Sequence, residues 1–289
     1  MNLRLACALS FLLLAAAPAA AADGPSYLMS GWTGVTAPGQ SLRFVTLPGR
    51  SETVLAAVRR STGRVIQWRS FRGTWGIPMV ANDGTAGGLT RDGQMLVVAD
   101  WQPSAGLRTS SRFMLVNTRT FGVWRRITLR GDFSFDALSP GGGTLYLIEH
   151  VESSSTSSYR VRAFDIARKR LLSRVIADRR QSKWLMSGDP VTRTTSADGR
   201  WVYTLYDQPD GYPFVHALDT VARTAVCIGI PWHGDGNILA STKLVLDPRA
   251  DRLKLTTKRG RPLFNVDTRT FWVSRAARHG GGFWSFLRL

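Results

Sequence analysis

The 289-residue chain sets 38 Lys and Arg against 20 Asp and Glu, a net charge of +18, and a positive field of that size favours anionic surfaces such as envelope polymers, phospholipid head groups or acidic partners. Only five of those cations are Lys, and the Arg are scattered through the whole chain, so coding bias explains them as well as a built patch does; an exported chain without a basic, aromatic groove motif disfavours nucleic acid. Two Cys, one of them near the N-terminus, exclude a disulfide framework, four His without ligand spacing give no zinc motif, and no run approaches the roughly 20 apolar residues of a membrane span.

Taken in order, residues 1–22 read as a signal peptide, with Arg4 as the positive start, an apolar middle from Leu5 to Ala17 and Ala20-Ala21-Ala22 as the small-residue cleavage site. Export to the periplasm or the extracellular space follows, and residues 23–289 form a single domain. Removal of the signal leaves Cys227 alone and lowers the charge to +17.

The first hairpin is expected at 35–46, around Pro38-Gly39, and an outer strand pair at 53–58 and 64–68. The same sentence recurs at 89–100, 138–149 and 195–207, and loosely at 244–255. In the clearest copy, Asp198-Gly199 is taken as a two-residue turn before a strand in which Trp201, Tyr203 and Leu205 alternate with Val202, Thr204 and Tyr206. Third strands ending in Asn/Asp-Thr or similar turns follow at 113–120, 161–168, 215–222 and 263–270, and fourth strands at 123–129, 171–176, 224–230 and 271–275. The tail 283–289, behind Gly280-Gly281-Gly282, is a spare strand that would close a ring by pairing with the first blade.

The turn positions Gly39, Gly93, Gly142, Gly199 and Arg249 are 54, 49, 57 and 50 residues apart. Periods near 50 with four strands each mark an all-β propeller, and the 267 residues after the signal suffice for five four-stranded blades around a narrow channel. The pattern Ser/Thr-x-Asp-Gly-x-x-hydrophobic-Tyr with a following Asp-Thr turn resembles the secreted bacterial propellers of the WD40-like and YVTN type. The Gly-His and Trp-Asp pairs of true WD40 blades are absent, as is the Tyr-Val-Thr-Asn string. The resemblance implies an architecture and a binding face, and fold alone does not settle function.

In such a blade the Asp-Gly turns lie on one side of the disc and the longer connections on the other. Those connections carry Trp75, Trp101, Trp184 and Trp232 with His150 and His233, rings able to stack on sugars or on apolar side chains of a partner. The plainer reading of each Trp is a wedge between blades. Asp83, Asp136, Asp189 and Asp235 enter from the same side, and Asp83 and Asp189 both stand ten residues before a turn glycine, which predicts equivalent places on the ring. Carboxylates around one channel suit a cation such as Ca²⁺, or an acid and base for glycoside cleavage. The plainer reading is an Asp bonded to its own loop.

Two functions stay open. The first is an exported binding module for an envelope protein or carbohydrate, acting through its loop-rich face. The second is a five-bladed hydrolase cleaving glycosides or lactones with the channel carboxylates and a bound cation. No Gly-x-Ser-x-Gly elbow, phosphate loop or dinucleotide fingerprint is present.

Overall fold

In the computed structural model, which describes residues 34–100, 106–151, 158–178, 185–208, 211–247 and 249–276, the Ser/Thr-x-Asp-Gly signature proves to be a four-residue turn rather than a two-residue hairpin. Gly199 N donates to Ser196 O (2.8 Å), Trp201 N to Ser196 Oγ (2.8 Å) and Arg200 N to Asp198 Oδ1 (3.0 Å). Thr90 and Asp92 repeat those roles, with Met95 N on Thr90 Oγ1 and Gln94 N on Asp92 Oδ1, both at 3.0 Å. The hydroxyl and carboxylate thus satisfy the amides that the turn removes from the ladder. The glycine closing it needs a left-handed backbone, with φ +71° at Gly93 and +75° at Gly199.

The Asn/Asp-Thr signature is a second such device. Asp267 Oδ1 accepts from Arg269 N (3.0 Å) and Thr270 N (2.7 Å), and Phe271 N returns to Asp267 O (2.8 Å). Asn117 and Asp219 do the same, so that Phe121, Arg223 and Phe271 all take φ between +53° and +60°. In the first copy Gly63 fills that place, at φ +70°.

These turns fold the chain into five antiparallel meanders, the blades of a β-propeller. The first holds β1 (Leu42–Pro48), β2 (Glu52–Arg59) and β3 (Val65–Arg72), with Val35 bridged to Phe44 in the place of a fourth strand. The others have four strands each: β4 (Trp75–Gly76) to β7 (Val123–Arg130) through β5 (Met95–Asp100) and β6 (Ser110–Asn117); β8 (Asp132–Leu138), β9 (Thr144–His150), β10 (Tyr159–Asp165) and β11 (Arg170–Ile176); β12 (Asp189–Thr195), β13 (Trp201–Asp207), β14 (Phe214–Asp219) and β15 (Thr224–Gly229); and, after the short helix α1 (Gly236–Ala240), β16 (Lys243–Asp247), β17 (Arg252–Thr256), β18 (Pro262–Asp267) and β19 (Val273–Arg275).

The core lies in the seams between consecutive sheets. Phe44, Leu55 and Phe71 of the first pack on Ile77, Leu96 and Met114 of the second; Val97, Phe113 and Ile127 meet Phe133, Leu145 and Phe164 of the third. Tyr146 and Val161 meet Val202 and Phe214 of the fourth, whose Tyr203, Leu205 and Val215 meet Leu253, Leu255 and Phe264 of the fifth. Each fully buried side chain of this kind contributes roughly 1.5–3 kcal/mol, so the seams carry most of the stability. Residues 1–22 and the tail 283–289 lie outside the described residues, so export and closure of the ring by the tail stay sequence-based expectations.

One departure from the repeat shapes the centre of the molecule. β4 pairs Trp75 with Asp100 and Gly76 with Ala99, and pairing with β5 resumes only at Leu89, opposite Leu96. The chain between turns back on itself, with Met79 opposite Ala86, and reaches past the third sheet to the fourth. There Asn82 N donates to Pro190 O (2.8 Å) and Asp83 N to Val191 O (3.2 Å). A β-bulge at Val191 drops that residue from the β12–β13 register, which leaves its carbonyl for the incoming strap. Asp83 and Asp189 are therefore not equivalent. The counterparts across the blades are Trp75, Asp132 and Asp189, which face Asp100, His150 and Asp207 at the same end of their sheets.

Candidate binding face and its polar seams

The strap ends in a knot around Asp83. Its Oδ1 accepts from Thr85 N (3.0 Å) and Thr85 Oγ1 (2.6 Å), and its Oδ2 from Thr192 Oγ1 (2.7 Å) and Lys243 Nζ (2.8 Å). Burial alone would raise this carboxyl, but Lys243 and the two hydroxyls together hold it below the ordinary range. On the turn side of the strap the channel opens into a recess of about 500 Å³, across which Arg91 Nε donates to Ala197 O.

Asp136 is the extra residue of a bulge between Phe135 and Ala137 and is 2% exposed. Its Oδ1 and main-chain oxygen accept from the Arg193 guanidinium, whose Nε reaches Thr204 Oγ1 at 2.8 Å. Its Oδ2 has no partner among the described residues. Asp136 thus sits in the seam of the third and fourth sheets as half of a buried ion pair.

His150, also largely buried, places Nε2 3.0 Å from Ser134 Oγ and its ring 6.3 Å from that of Tyr159. Tyr159 lies 5.8 Å from Tyr206 and hydrogen-bonds Gly188 O, beside Asp189 at the start of β12. Burial pushes the Tyr206 phenol well above its ordinary value. Sequence reasoning passed over two ion pairs nearby: the Arg108 guanidinium meets Asp132 at 3.1 Å between the second and third sheets, with both side chains buried, and Arg112 meets Asp100 at 2.6 Å within the second.

His216, 3% exposed, also belongs here, and its Nε2 has no partner among the described residues. Burial, only partly opposed by Asp136, and the nearby Arg193 hold its pKa down to about 4 from an ordinary 6.5. The unfolded chain therefore takes up this proton first as pH falls, so the contribution is complete above about 6.5 and declines toward about 4. The loss is on the order of 3 kcal/mol. Urea unfolding at pH 7 and pH 4.5 should show His216→Gln losing much less stability over that interval than the parent; equal losses would mean that His216 is not the titrating group. His150, lowered by burial as well, leaves a residual slope.

The ten residues singled out from sequence are not gathered in one place. Trp75 is 7% exposed in the seam of the first two sheets, with Nε1 on Arg72 O (2.8 Å). Asp83 lies at the strap, and Asp136, His150 and Asp189 share the seam of the third and fourth sheets. Trp101 and Trp184 lie outside the described residues. Asp235 caps α1, its Oδ1 accepting from Asn237 N at 2.7 Å. Among the described residues no three His, Cys, Asp or Glu side chains are grouped to hold a metal ion.

Trp232 and His233 come together in the chain that leaves β15 at the end of the disc opposite the Asp-Gly turns. Trp232 Nε1 donates to Gly234 O (3.0 Å), and its ring stands 6.0 Å from Phe264. A groove of about 790 Å³ runs past both residues, bordered by Ile238, Arg261, Leu263 and Arg275. Beyond His233 a second recess, of about 460 Å³, lies between Tyr212, Pro231, Phe271 and Trp272. Tyr212 is 61% and Trp272 75% exposed, and the Tyr212 and His233 rings meet edge to face at 6.0 Å. Tyr212, Trp272, Arg261 and Arg275 were not predicted. Trp272 alone had a signal, as a large ring in the outermost strand of a blade.

No protein-family profile matches the chain, and no curated protein matches its sequence. Solved structures of similar form include Kuenenia stuttgartiensis hydrazine synthase, at 16% identity and TM-score 0.42 over 81% of this chain and 75% of that one. A functionally unknown protein from Desulfotomaculum acetoxidans is 14% identical, with TM-score 0.47 over 82% and 70% of the two chains. A putative TolB from Agrobacterium tumefaciens is 14% identical, with TM-score 0.46 over 81% and 69%. Likeness at this level assigns no activity, and the function is argued from the site.

Proposed function

We propose that the protein is an exported propeller that works as a binding module, holding a protein or carbohydrate of the cell envelope against its loop-bearing face. The observation that carries this reading is the groove beside the seam of the fourth and fifth sheets, where His233 and Tyr212 border open recesses and Trp232, packed at the edge of that seam, also lines the larger one. Its size falls in the range of natural ligand sites, and rigid sheets on both sides hold its walls. The signal-like first 22 residues support export. The hydrolase alternative, which rests on Asp83, Asp136 and Asp189, has less support, because Lys243 engages Asp83 and Arg193 engages Asp136.

The test is capture from envelope extract on immobilised protein. Trp232→Ala and Tyr212→Ala should each lose most of the captured material. Gln94→Ala, in an Asp-Gly turn on the opposite side, should retain it. Tyr212 is exposed enough that its loss leaves the fold intact, so retained capture in a folded Tyr212→Ala protein, together with loss in Gln94→Ala, would place recognition on the other face.

A further inference from the structure

Resting on the groove as the binding site, we infer that its ligand is an acidic glycan, a chain of sugar rings bearing carboxylates. The floor is apolar and aromatic, built from Trp232, Phe264, Leu263 and Ile238, and among the described residues no Asp or Glu lines either recess. The rim carries the guanidiniums of Arg261 and Arg275. Ten ion pairs among the described residues tie up other cations, Arg108, Arg193 and Lys243 among them, but neither rim Arg has an acidic partner there.

This combination selects by chemistry. The C–H face of a pyranose stacks on an indole or phenol ring, and a carboxylate matches the guanidinium fork with two parallel hydrogen bonds. A neutral glycan would use the rings and leave both forks unanswered. An acidic peptide would answer the forks, but its flexible side chains would make poor use of the succession of Trp232, His233, Tyr212 and Trp272 around the His233 corner. The overall charge of +18 draws a polyanion toward the protein but does not choose among polyanions.

The experiment is calorimetric titration of the full-length exported chain with polygalacturonate, neutral dextran and poly-glutamate, at low and at moderate salt. Polygalacturonate should bind, dextran at least tenfold more weakly, and poly-glutamate should lose its binding as salt rises while polygalacturonate keeps a measurable share. Arg261→Ala with Arg275→Ala, and separately Tyr212→Ala with Trp272→Ala, should each weaken polygalacturonate by tenfold or more. Arg64→Ala with Arg126→Ala removes the same charge from exposed positions on the first two sheets and should change little. Dextran binding as tightly as polygalacturonate would overturn the acidic class and leave the groove as a glycan site. Poly-glutamate matching polygalacturonate at both salts, or the Arg64 and Arg126 pair weakening it equally, would overturn the glycan class in favour of charge alone. No binding of any polymer to a protein that still captures envelope material through Tyr212 would overturn the inference and spare the binding reading, whereas loss of both would sink the two together.

Discussion

Replacing Arg193 with Met should destabilise the protein by about 3–5 kcal/mol, the largest single-residue effect expected in the molecule. The change keeps most of the apolar stem but removes the charge facing a carboxylate that is 2% exposed. Asp136 Oδ2 already lacks a partner among the described residues, so Oδ1 and the main-chain oxygen of Asp136 would be left unpaired as well, together with the hydroxyl of Thr204. The cost is the uncompensated buried charge rather than the value of the pair itself, and this distinction can be measured. Asp136→Leu added to Arg193→Met removes both charges and should recover most of the loss, because an apolar pair of similar volume serves a seam as well as an ion pair does. Urea unfolding at pH 7 of the two single variants and the double reads the cycle. A double variant as unstable as Arg193→Met alone would show that the pair is needed for the geometry of the two bulged strands.

The pair also marks the boundary of what the linear sequence discloses. The blades were legible because their signals are local: the Ser196 hydroxyl, the Asp198 carboxylate and Gly199 act within six residues of one another, and Asp219 caps amides two and three positions on. The Arg residues carried no such signal. Arg193 and Asp136 are 57 positions apart and Arg108 and Asp132 are 24 apart, so a distribution that reads as scatter along the chain is partly a set of buried pairings across the seams. Equal spacing misled for a related reason. Ten residues separate Asp83 from Gly93 and Asp189 from Gly199, yet in the first case the count runs through a strap that leaves its sheet. Pro78, Gly84 and the pair Gly87-Gly88 were the available warning. A Cβ on Gly88 would stand 2.5 Å from Val97 O, so only glycine lets the strap rejoin the strand there. The groove was half legible: Trp232 and His233 were named from the loop that bears them, but Arg261 and Arg275 reach it from another sheet, and no rule of spacing connects them to it.

Asp83→Ala should cost about 2–3 kcal/mol and detach the strap from the fourth and fifth sheets. Four hydrogen bonds end on this carboxylate, from Thr85 N, Thr85 Oγ1, Thr192 Oγ1 and Lys243 Nζ. Those to charged groups contribute about 1.5–3 kcal/mol each at most, and the part-exposed lysine recovers water when released, which keeps the total below their sum. Thr192 does not recover: its side chain is buried, and its hydroxyl would be stranded. The strap is the one covalent continuation of the second sheet that touches both the fourth and the fifth among the described residues, so its release removes a link that bypasses the third sheet altogether. Amide exchange separates this account from simple loss of stability. The N–H groups of Asn82 and Asp83 are held by Pro190 O and Val191 O, and in Asp83→Ala their exchange should quicken far more than that of the Leu205 and Val215 amides inside the fourth sheet. Asp83→Asn keeps an acceptor for Thr192 but not the charge for Lys243, and should fall between. If the Asn82 and Asp83 amides stay protected while global stability drops, the backbone contacts hold the strap unaided and the carboxylate knot serves only to neutralise Lys243.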